Sequence, residues 1–255
     1  MRSCYIKLGE ACSLQHITTL KKRLNFILDN VNVGERSRIL DIGTGKGVYI
    51  YLISRRYPHV NFVGIDINEK NIAQAKDIIQ EENVELVVMN AERLMFKDDT
   101  FDVALMIEVL EHIPHPEKAI KEVYRVLKPG GKLIITAPNK LFPFETHGFR
   151  VGSKCYGTKG LGFPFLPYLP EMLRKHVANA RVYTPWHLKR MLVKEGFSIT
   201  NIKFLSPSLD QLRINFPRLG RFIEFFQELL ELVEKIPVIN VFLATIIVCA
   251  MKVEK

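Results

Sequence analysis

The chain has few cysteines and lacks any long apolar run. Its four cysteines, at positions 4, 12, 155 and 249, never show the C-x-x-C spacing of metal or redox sites, so we expect reduced thiols, with Cys249 in a core strand. Residues 1–9 lack the apolar core of a signal peptide. The longest nearly apolar run, residues 241–251, is shorter than the about 20 residues that a membrane-spanning helix needs. These absences predict a soluble, cytoplasmic protein without a transmembrane segment.

The composition suits one large folded domain, or one domain with a sizeable insertion. Of the 255 residues, 47% are hydrophobic and 25% are charged. The net charge of +9 is unevenly spread, because residues 140–221 hold 14 Lys and Arg against 4 Asp and Glu, whereas residues 1–139 hold 19 against 18. This basic segment favours an anionic partner, although a solvated lysine-rich surface would give the same pattern.

Strand and helix patterns alternate along most of the chain. Hydrophobic spacing predicts helices at 14–31, 47–56, 69–82, 116–127, 185–194 and 219–236. Apolar runs predict strands at 38–42, 60–65, 85–89, 101–107, 132–136, 197–204 and 238–252. Such alternation is typical of a parallel sheet covered on both faces. We therefore predict an α/β, Rossmann-like, doubly wound, seven-stranded and mostly parallel sheet, whose last strand is antiparallel and pairs with the strand before it.

The alternation stops after residue 138. Residues 139–182 are rich in Gly, Pro and aromatic residues and are too long for a structureless loop, which predicts an inserted cap or lid. The predicted divisions are a core at 1–138, a cap at 139–182, and the rest of the sheet with an amphipathic helix at 183–255. That helix, about 219–236, carries glutamates rather than lysines on its polar side, which favours packing on the sheet, the cap or a second subunit over an anionic bilayer.

The central motif spans residues 39–47, with sequence ILDIGTGKG. A strand ends and a helix begins within it, and glycines there let a ligand approach the backbone closely. Dinucleotide enzymes use G-x-G-x-x-G, but here the third glycine, Gly47, comes one residue early. Asp41 would repel a pyrophosphate, whereas it suits a ligand with a cationic amine and a sulfonium. Asp66, at the end of the second strand, is placed for ribose hydroxyls in either class.

This run resembles motif I of the class I S-adenosylmethionine-dependent methyltransferases. Four later segments resemble further motifs of that family in the same order: 63–67 (VGIDI), 90–96 (NAERLMF), 101–112 (FDVALMIEVLEH) and 125–133 (RVLKPGGKL). The resemblance covers residues 35–138, with a weaker match at 186–197. It implies methyltransferase activity, with S-adenosylmethionine as the cofactor and S-adenosylhomocysteine as the product.

The resemblance also implies residues at the methionine end of the cofactor. Gly43, Thr44 and Gly45 would pass close to the methionine moiety. Asp41 would help to hold its amino group, directly or through water. Ile107, at the end of the fourth strand, would lie beside it.

Four residues are implied at the nucleoside end. Asp66 would bind the ribose, and Ile67 would pack on the adenine unless it is a plain core residue. Ala91 would offer its backbone amide to the adenine ring. Asn90 stands where many relatives carry Asp, and its carbonyl oxygen can still accept from the adenine amino group.

The sequence shows no definite catalytic group. A sulfonium methyl is already activated, so alignment and exclusion of water are the protein's main tasks, and a base is needed only if the nucleophile must lose a proton. His112, one helical turn after Glu108, and His147, after the fifth strand, are candidate bases, although we favour a structural role for His112 and a loop role for His147 is equally open. Tyr156 and Tyr183 are weaker candidates.

Two site types are disfavoured. Glu108, Glu111 and His112 have no third metal ligand at a recognisable spacing, so we expect no metal. Residues 107–110 read IEVL where enzymes that methylate the amino groups of bases carry Asn/Asp-Pro-Pro-aromatic, which disfavours that reaction.

The acceptor is the least defined part. Residues 160–170 are apolar and aromatic, and cationic residues follow at 174, 175, 176 and 181, which favours a small lipophilic or anionic acceptor. The chain broadly resembles the methyltransferase subfamily that includes quinone- and lipid-precursor enzymes. RNA, whose phosphates and bases suit a basic aromatic segment, protein side chains, and a non-catalytic cofactor-binding role stay open as alternatives. A homodimer is also compatible with the sequence.

Overall fold

The computed structural model describes residues 17–31, 33–151, 153–156 and 163–253. Its helices are Ile17–Asn30 (α1), Val48–Ser54 (α2), Glu69–Ile78 (α3), Pro116–Val126 (α4), Glu171–Val177 (α5), Pro185–Glu195 (α6), Asp210–Asn215 (α7) and Gly220–Val233 (α8). Its strands are Arg38–Ile42 (β1), Asn61–Asp66 (β2), Val84–Val88 (β3), Phe101–Met106 (β4), Leu127–Pro138 (β5), Phe144–Glu145 (β6), Phe149–Val151 (β7), Lys154–Tyr156 (β8), Phe163–Pro164 (β9), Phe197–Leu205 (β10) and Thr245–Lys252 (β11).

A seven-stranded sheet forms the centre, in the order β10-β11-β5-β4-β1-β2-β3. Strands β1 to β5 are mutually parallel, and β11 runs antiparallel to both β5 and β10. The predicted fold class, with an antiparallel last strand that pairs with its predecessor, is therefore confirmed.

Helices cover both faces of this sheet. Successive residues of β1 point to opposite faces, so Ile39 packs with Ile27 of α1, while Leu40 belongs to the core that includes Val123 of α4 and Leu192 of α6. Both cores are made of buried, mainly aliphatic and aromatic side chains. Burial on both faces explains why the central strands are nearly continuous apolar runs. Cys249 of β11 is buried and free, as predicted.

The parallel arrangement determines where the loops after the strands lie. β1, β2 and β4 end at Ile42, Asp66 and Met106, and their register places those ends side by side. The loops that follow them therefore lie along one edge of the sheet, where ligands bind in open α/β sheets.

Several predicted boundaries were wrong by a few residues. The last strand begins at Thr245 rather than at 238, because residues 240–242 form a 3₁₀ turn and the Asn139 amide donates to the carbonyls of Val241 and Leu243, both at 2.7 Å. Helix α3 ends at Ile78, since Ile79 is extended. Strand β5 already begins at Leu127, directly after α4.

The described part of residues 139–182 contains short elements of local structure. β6 pairs with β9 and β7 pairs with β8, both antiparallel. Arg174 of α5 is buried and donates to the carbonyl of Ala180 at 2.6 Å. The first residues of the predicted apolar stretch, 160–162, lie outside the described residues, as do Cys4, Cys12 and the predicted helix start at 14.

Ion pairs at the C-terminal end of helix α8 link it to α1. Lys22 of α1 lies 2.6 Å from Glu234 and 3.2 Å from Glu231. The apolar side of α8 is largely exposed, with Phe222 and Phe225 about 60% accessible. Within the described ranges, no helix is long and apolar enough to cross a bilayer.

Replacing Leu40 tests the role of the central strand. Leu40 is fully buried, so Leu40→Ala removes core contacts and leaves a cavity, and we expect it to lower the free energy of unfolding by ~2–5 kcal/mol in denaturant titrations. Leu173→Ala, the same change at an exposed position of α5, is the control, with an expected loss within ~0.5 kcal/mol. Equal losses for the two variants would contradict this packing.

Candidate active site

The loop after β1 is held in place by backbone conformation and hydrogen bonds. Gly43 has φ 66°, and a Cβ there would lie 2.5 Å from Cγ2 of Val109, so this position requires glycine. The Thr44 amide donates to the carbonyl of Ile65 at 2.8 Å, and its hydroxyl donates to Asp41 at 2.6 Å. The loop is thereby tied to both β1 and β2.

Asp66 connects the ends of β1 and β2. Its Oδ2 accepts from the Gly45 amide at 2.9 Å, and its Oδ1 accepts from the Asn68 amide at 2.8 Å and from Asn71 Nδ2 at 3.3 Å. The carboxylate is therefore held beside the glycine loop.

A cavity of about 230 Å³ opens next to this carboxylate. Five predicted cofactor residues line it: Gly43, Asp66, Ile67, Asn90 and Ala91. The side chain of Ile67 is 70% exposed, which does not fit the alternative of a plain core residue. Oδ1 of Asn90 accepts from the Glu92 amide at 2.8 Å, which stabilises the turn after β3.

Four other predicted residues do not line this cavity. Thr44 and Gly45 belong to the loop at its edge, and Asp41 is buried beneath the loop. Ile107 is buried in the sheet core after β4, rather than on the cavity wall. Asp41 has a pKa raised to about 7, because burial disfavours its charge and Asp66 adds repulsion, while the Thr44 hydrogen bond partly opposes both.

A second cavity of about 400 Å³ lies beside the first. Its walls come from α1, the start of α2, and the segments 146–147, 206–208 and 244–245. Glu108 and His112 line both cavities, so the two share a wall directly after β4. This wall could be anticipated only in part from the sequence, which identified the end of β4 but gave no indication that α1 reaches it.

Glu108 is held by three parts of the chain. It has φ 59°, and its Oε1 accepts from the Thr136 hydroxyl at 2.9 Å and lies 2.9 Å from Nη2 of Arg23. His147 Nε2 lies 3.5 Å from Oε2. Burial alone would raise the pKa of Glu108, but Arg23 and His147 outweigh it and hold that pKa well below its usual range.

His147 lies among buried carboxylates. Its Nε2 is 3.1 Å from Oε1 of Glu111, and its backbone amide donates to Glu145 at 2.9 Å. Burial would lower the pKa of His147, but Glu108 and Glu111 more than offset it and raise it to about 10. At neutral pH both nitrogens of this imidazole are therefore protonated, which argues against His147 as a base.

His112 lies next to His147. Their ring centroids are 5.7 Å apart, and His112 Nε2 is 4.0 Å from Glu111 Oε1. The sequence offered no third metal ligand at a recognisable spacing from Glu111 and His112, but the fold brings His147 beside them. Tyr156 and Tyr183 line neither of these two cavities.

Comparison with known proteins finds methyltransferases. A family model described as a methyltransferase domain matches residues 40–135. The ubiquinone/menaquinone biosynthesis C-methyltransferase UbiE of Pseudomonas putida is 31% identical over 197 residues, covering 70% of this chain and 71% of that enzyme. The enzyme of the same description from Desulfotalea psychrophila is 31% identical over 125 residues, which are 47% of this chain and about half, 51%, of that enzyme.

Solved structures share the fold at lower identity. A Haemonchus contortus phosphoethanolamine N-methyltransferase in complex with S-adenosylmethionine superposes with TM-score 0.61 at 20% identity, covering 92% of this chain and 53% of that one. A Methanosarcina mazei S-adenosylmethionine-dependent methyltransferase superposes with TM-score 0.59 at 21% identity, covering 90% of this chain and 98% of that one. The [4+2]-cyclase SpnF superposes with TM-score 0.62 at 21% identity, covering 92% of this chain and 82% of that one. The chain is an enzyme that uses S-adenosylmethionine and belongs to the class I S-adenosylmethionine-dependent methyltransferases.

Proposed function

We propose that this enzyme methylates a small, largely apolar acceptor bound in the 400 Å³ cavity, with the cofactor in the 230 Å³ cavity. The observation that carries this proposal is the wall that the two cavities share, formed by Glu108 and His112. Direct transfer requires the sulfonium methyl and the acceptor atom to meet in line, and two cavities in contact allow this.

The cofactor would lie along the loop edge of the sheet. Asp66 would accept from the ribose hydroxyls, Ile67 would cover the adenine, and Asn90 and Ala91 would bind its edge. Asp41, Gly43, Thr44 and Gly45 would form the methionine end, with Ile107 supporting it from the core. The sulfonium would then face Glu108 and His112.

The second cavity favours a small acceptor. Its volume lies within the ~300–1,000 Å³ typical of small-molecule sites, and Leu20, Val48 and Ala244 give it apolar walls. Arg23 and His147 also line this cavity, in ion pairs with Glu108 and Glu111. Nε of Arg23 has no hydrogen-bond partner among the described residues, which suits an acceptor with an ionisable oxygen. The relatives described as C-methyltransferases of ubiquinone and menaquinone biosynthesis support such an acceptor.

The transfer itself needs little from the protein beyond alignment. A lone pair or carbanion of the acceptor forms the new bond to the methyl carbon, the carbon–sulfur bond breaks, and its electrons remain on the sulfur of S-adenosylhomocysteine. Residues 139–182, which carry His147, would act as the cap that keeps water from this step.

RNA is a weaker alternative because several cations of the basic segment are used internally. The guanidinium of Arg174 is bound to the carbonyl of Ala180, that of Arg181 to the carbonyls of Ile113 and Pro114, and that of Arg150 to the carbonyl of Lys175. These groups are not free to follow a phosphate backbone.

Asp66→Ala tests the position of the ribose. It removes the carboxylate oxygens that would accept from the ribose, so we expect the Kd for S-adenosylhomocysteine to rise more than about tenfold in calorimetry. Asp77→Ala, which removes an exposed carboxylate of α3, should bind like the unmodified enzyme. Unchanged affinity in Asp66→Ala would contradict the assignment.

The pKa of Asp41 predicts a pH dependence of cofactor binding. A carboxylate with a pKa of about 7 is mostly protonated in mildly acidic solution, whereas the ammonium group of the cofactor needs its charged form. Affinity should therefore rise with pH, by about tenfold from about pH 6 to about pH 8 at constant ionic strength. Asp41→Asn should bind more weakly and lose this slope, and a slope that persists in Asp41→Asn would show that another group titrates.

Filling the second cavity tests where the acceptor binds. Pro207 lines this cavity, so Pro207→Trp should leave S-adenosylhomocysteine binding within about twofold and abolish transfer of a labelled methyl group to phenol, quinol and lipid extracts. Pro217→Trp, at an exposed position, is the matched control. Labelling of RNA or protein alone, or full activity of Pro207→Trp, would refute the proposed acceptor site.

A further inference from the structure

We propose that Glu111, His112 and His147 bind a divalent transition-metal ion, such as Zn²⁺, at the edge of the acceptor cavity. One ligand atom from each residue lies within 4.8 Å of the other two. Glu111 Oε1 is 3.1 Å from His147 Nε2 and 4.0 Å from His112 Nε2. Ligand atoms of a tetrahedral zinc site, with bonds of about 2.0–2.1 Å, are ~3.3 Å apart, so small side-chain rotations would complete the coordination.

Buried carboxylate oxygens without donors point to a missing cation. The Glu111 side chain is fully buried, and neither of its oxygens has a well-aligned hydrogen-bond donor among the described residues, despite the short contact with His147. Oε2 of Glu145 is also buried and also lacks a hydrogen-bond donor among the described residues. A buried carboxylate without a donor is costly, so native structures supply one or bind a cation there.

The arginines near Glu111 already have other partners. Arg174 and Arg181 line a third cavity together with Glu111, but their guanidiniums donate to main-chain carbonyls and, for Arg174, to Glu171. Arg23 forms its ion pair with Glu108. None of these guanidiniums approaches the Glu111 carboxylate within ion-pair distance in the described part of the chain.

The local charge favours a dication. Glu108, Glu111 and Glu145 contribute three carboxylates to this buried cluster, whereas Arg23 contributes one guanidinium. A divalent ion that displaces the proton of His147 would neutralise the remaining two negative charges, with both imidazoles acting as neutral ligands. Two histidines and one carboxylate form a known zinc ligand set that leaves a fourth position open.

The open position indicates a role, which rests on the proposed function. His112 and His147 both line the acceptor cavity, so an acceptor hydroxyl could take the fourth position. A metal-bound hydroxyl loses its proton to solvent more readily, and the oxyanion, or a carbon conjugated to it, then attacks the methyl group. Metal binding itself needs neither acceptor nor cofactor.

The test measures metal binding without activity. The full chain is treated with a chelator and then titrated with Zn²⁺ by calorimetry and with Co²⁺ by visible absorption. We expect a single tight site and the intense visible band of tetrahedral Co²⁺. Glu111→Gln and His147→Ala should each weaken Zn²⁺ binding at least about a hundredfold, which exceeds the effect of residues that merely support ligands.

Matched controls separate this inference from folding and from the proposed function. Glu117→Gln and His176→Ala change exposed residues of the same types and should bind Zn²⁺ normally. Glu111→Gln should retain its thermal shift with S-adenosylhomocysteine, which shows that it folds. A wild-type chain that shows this shift but binds neither ion, or variants that bind as tightly as wild type, would overturn the metal site and leave the methyltransferase proposal intact.

Discussion

The carboxylate of Glu108 joins four separate parts of the chain at one point. It follows β4, bonds to Thr136 of β5, pairs with Arg23 of α1, and lies beside His147 of the segment after β5. The backbone of Glu108 has a left-handed conformation, at φ 59°, which costs ~1–3 kcal/mol. The contacts of its side chain hold the backbone in this conformation. The wall between the two cavities, and hence the proposed alignment of donor and acceptor, depends on this arrangement.

The two sides of that wall are built differently. On the proposed cofactor side, main-chain groups and Asp66 are fixed by the ends of parallel strands. On the acceptor side, α1 and the loops 146–147, 206–208 and 244–245 form the lining. A [4+2]-cyclase shares the fold, so the fold alone does not determine the reaction.

The sequence predicted what depends on local pattern. The strands from β1 to β4, the loop glycines and Asp66 follow from periodicity and from motifs contained within a few residues. The contact of Glu111 with His147 joins residues 36 positions apart and exists only after the segment beyond β5 folds back over the sheet. The approach of Arg23 to Glu108 likewise depends on the packing of α1, which its own periodicity cannot specify. Charges buried by such contacts leave no local sequence signal.

A structure of the enzyme with S-adenosylhomocysteine tests the central claim most directly. The account predicts the adenine against Asn90 and Ala91 and the sulfur at the wall formed by Glu108 and His112, with the place of the lost methyl group open to the cavity lined by Arg23. A sulfur that faces away from this wall, or a cofactor that also fills the second cavity, would contradict the account.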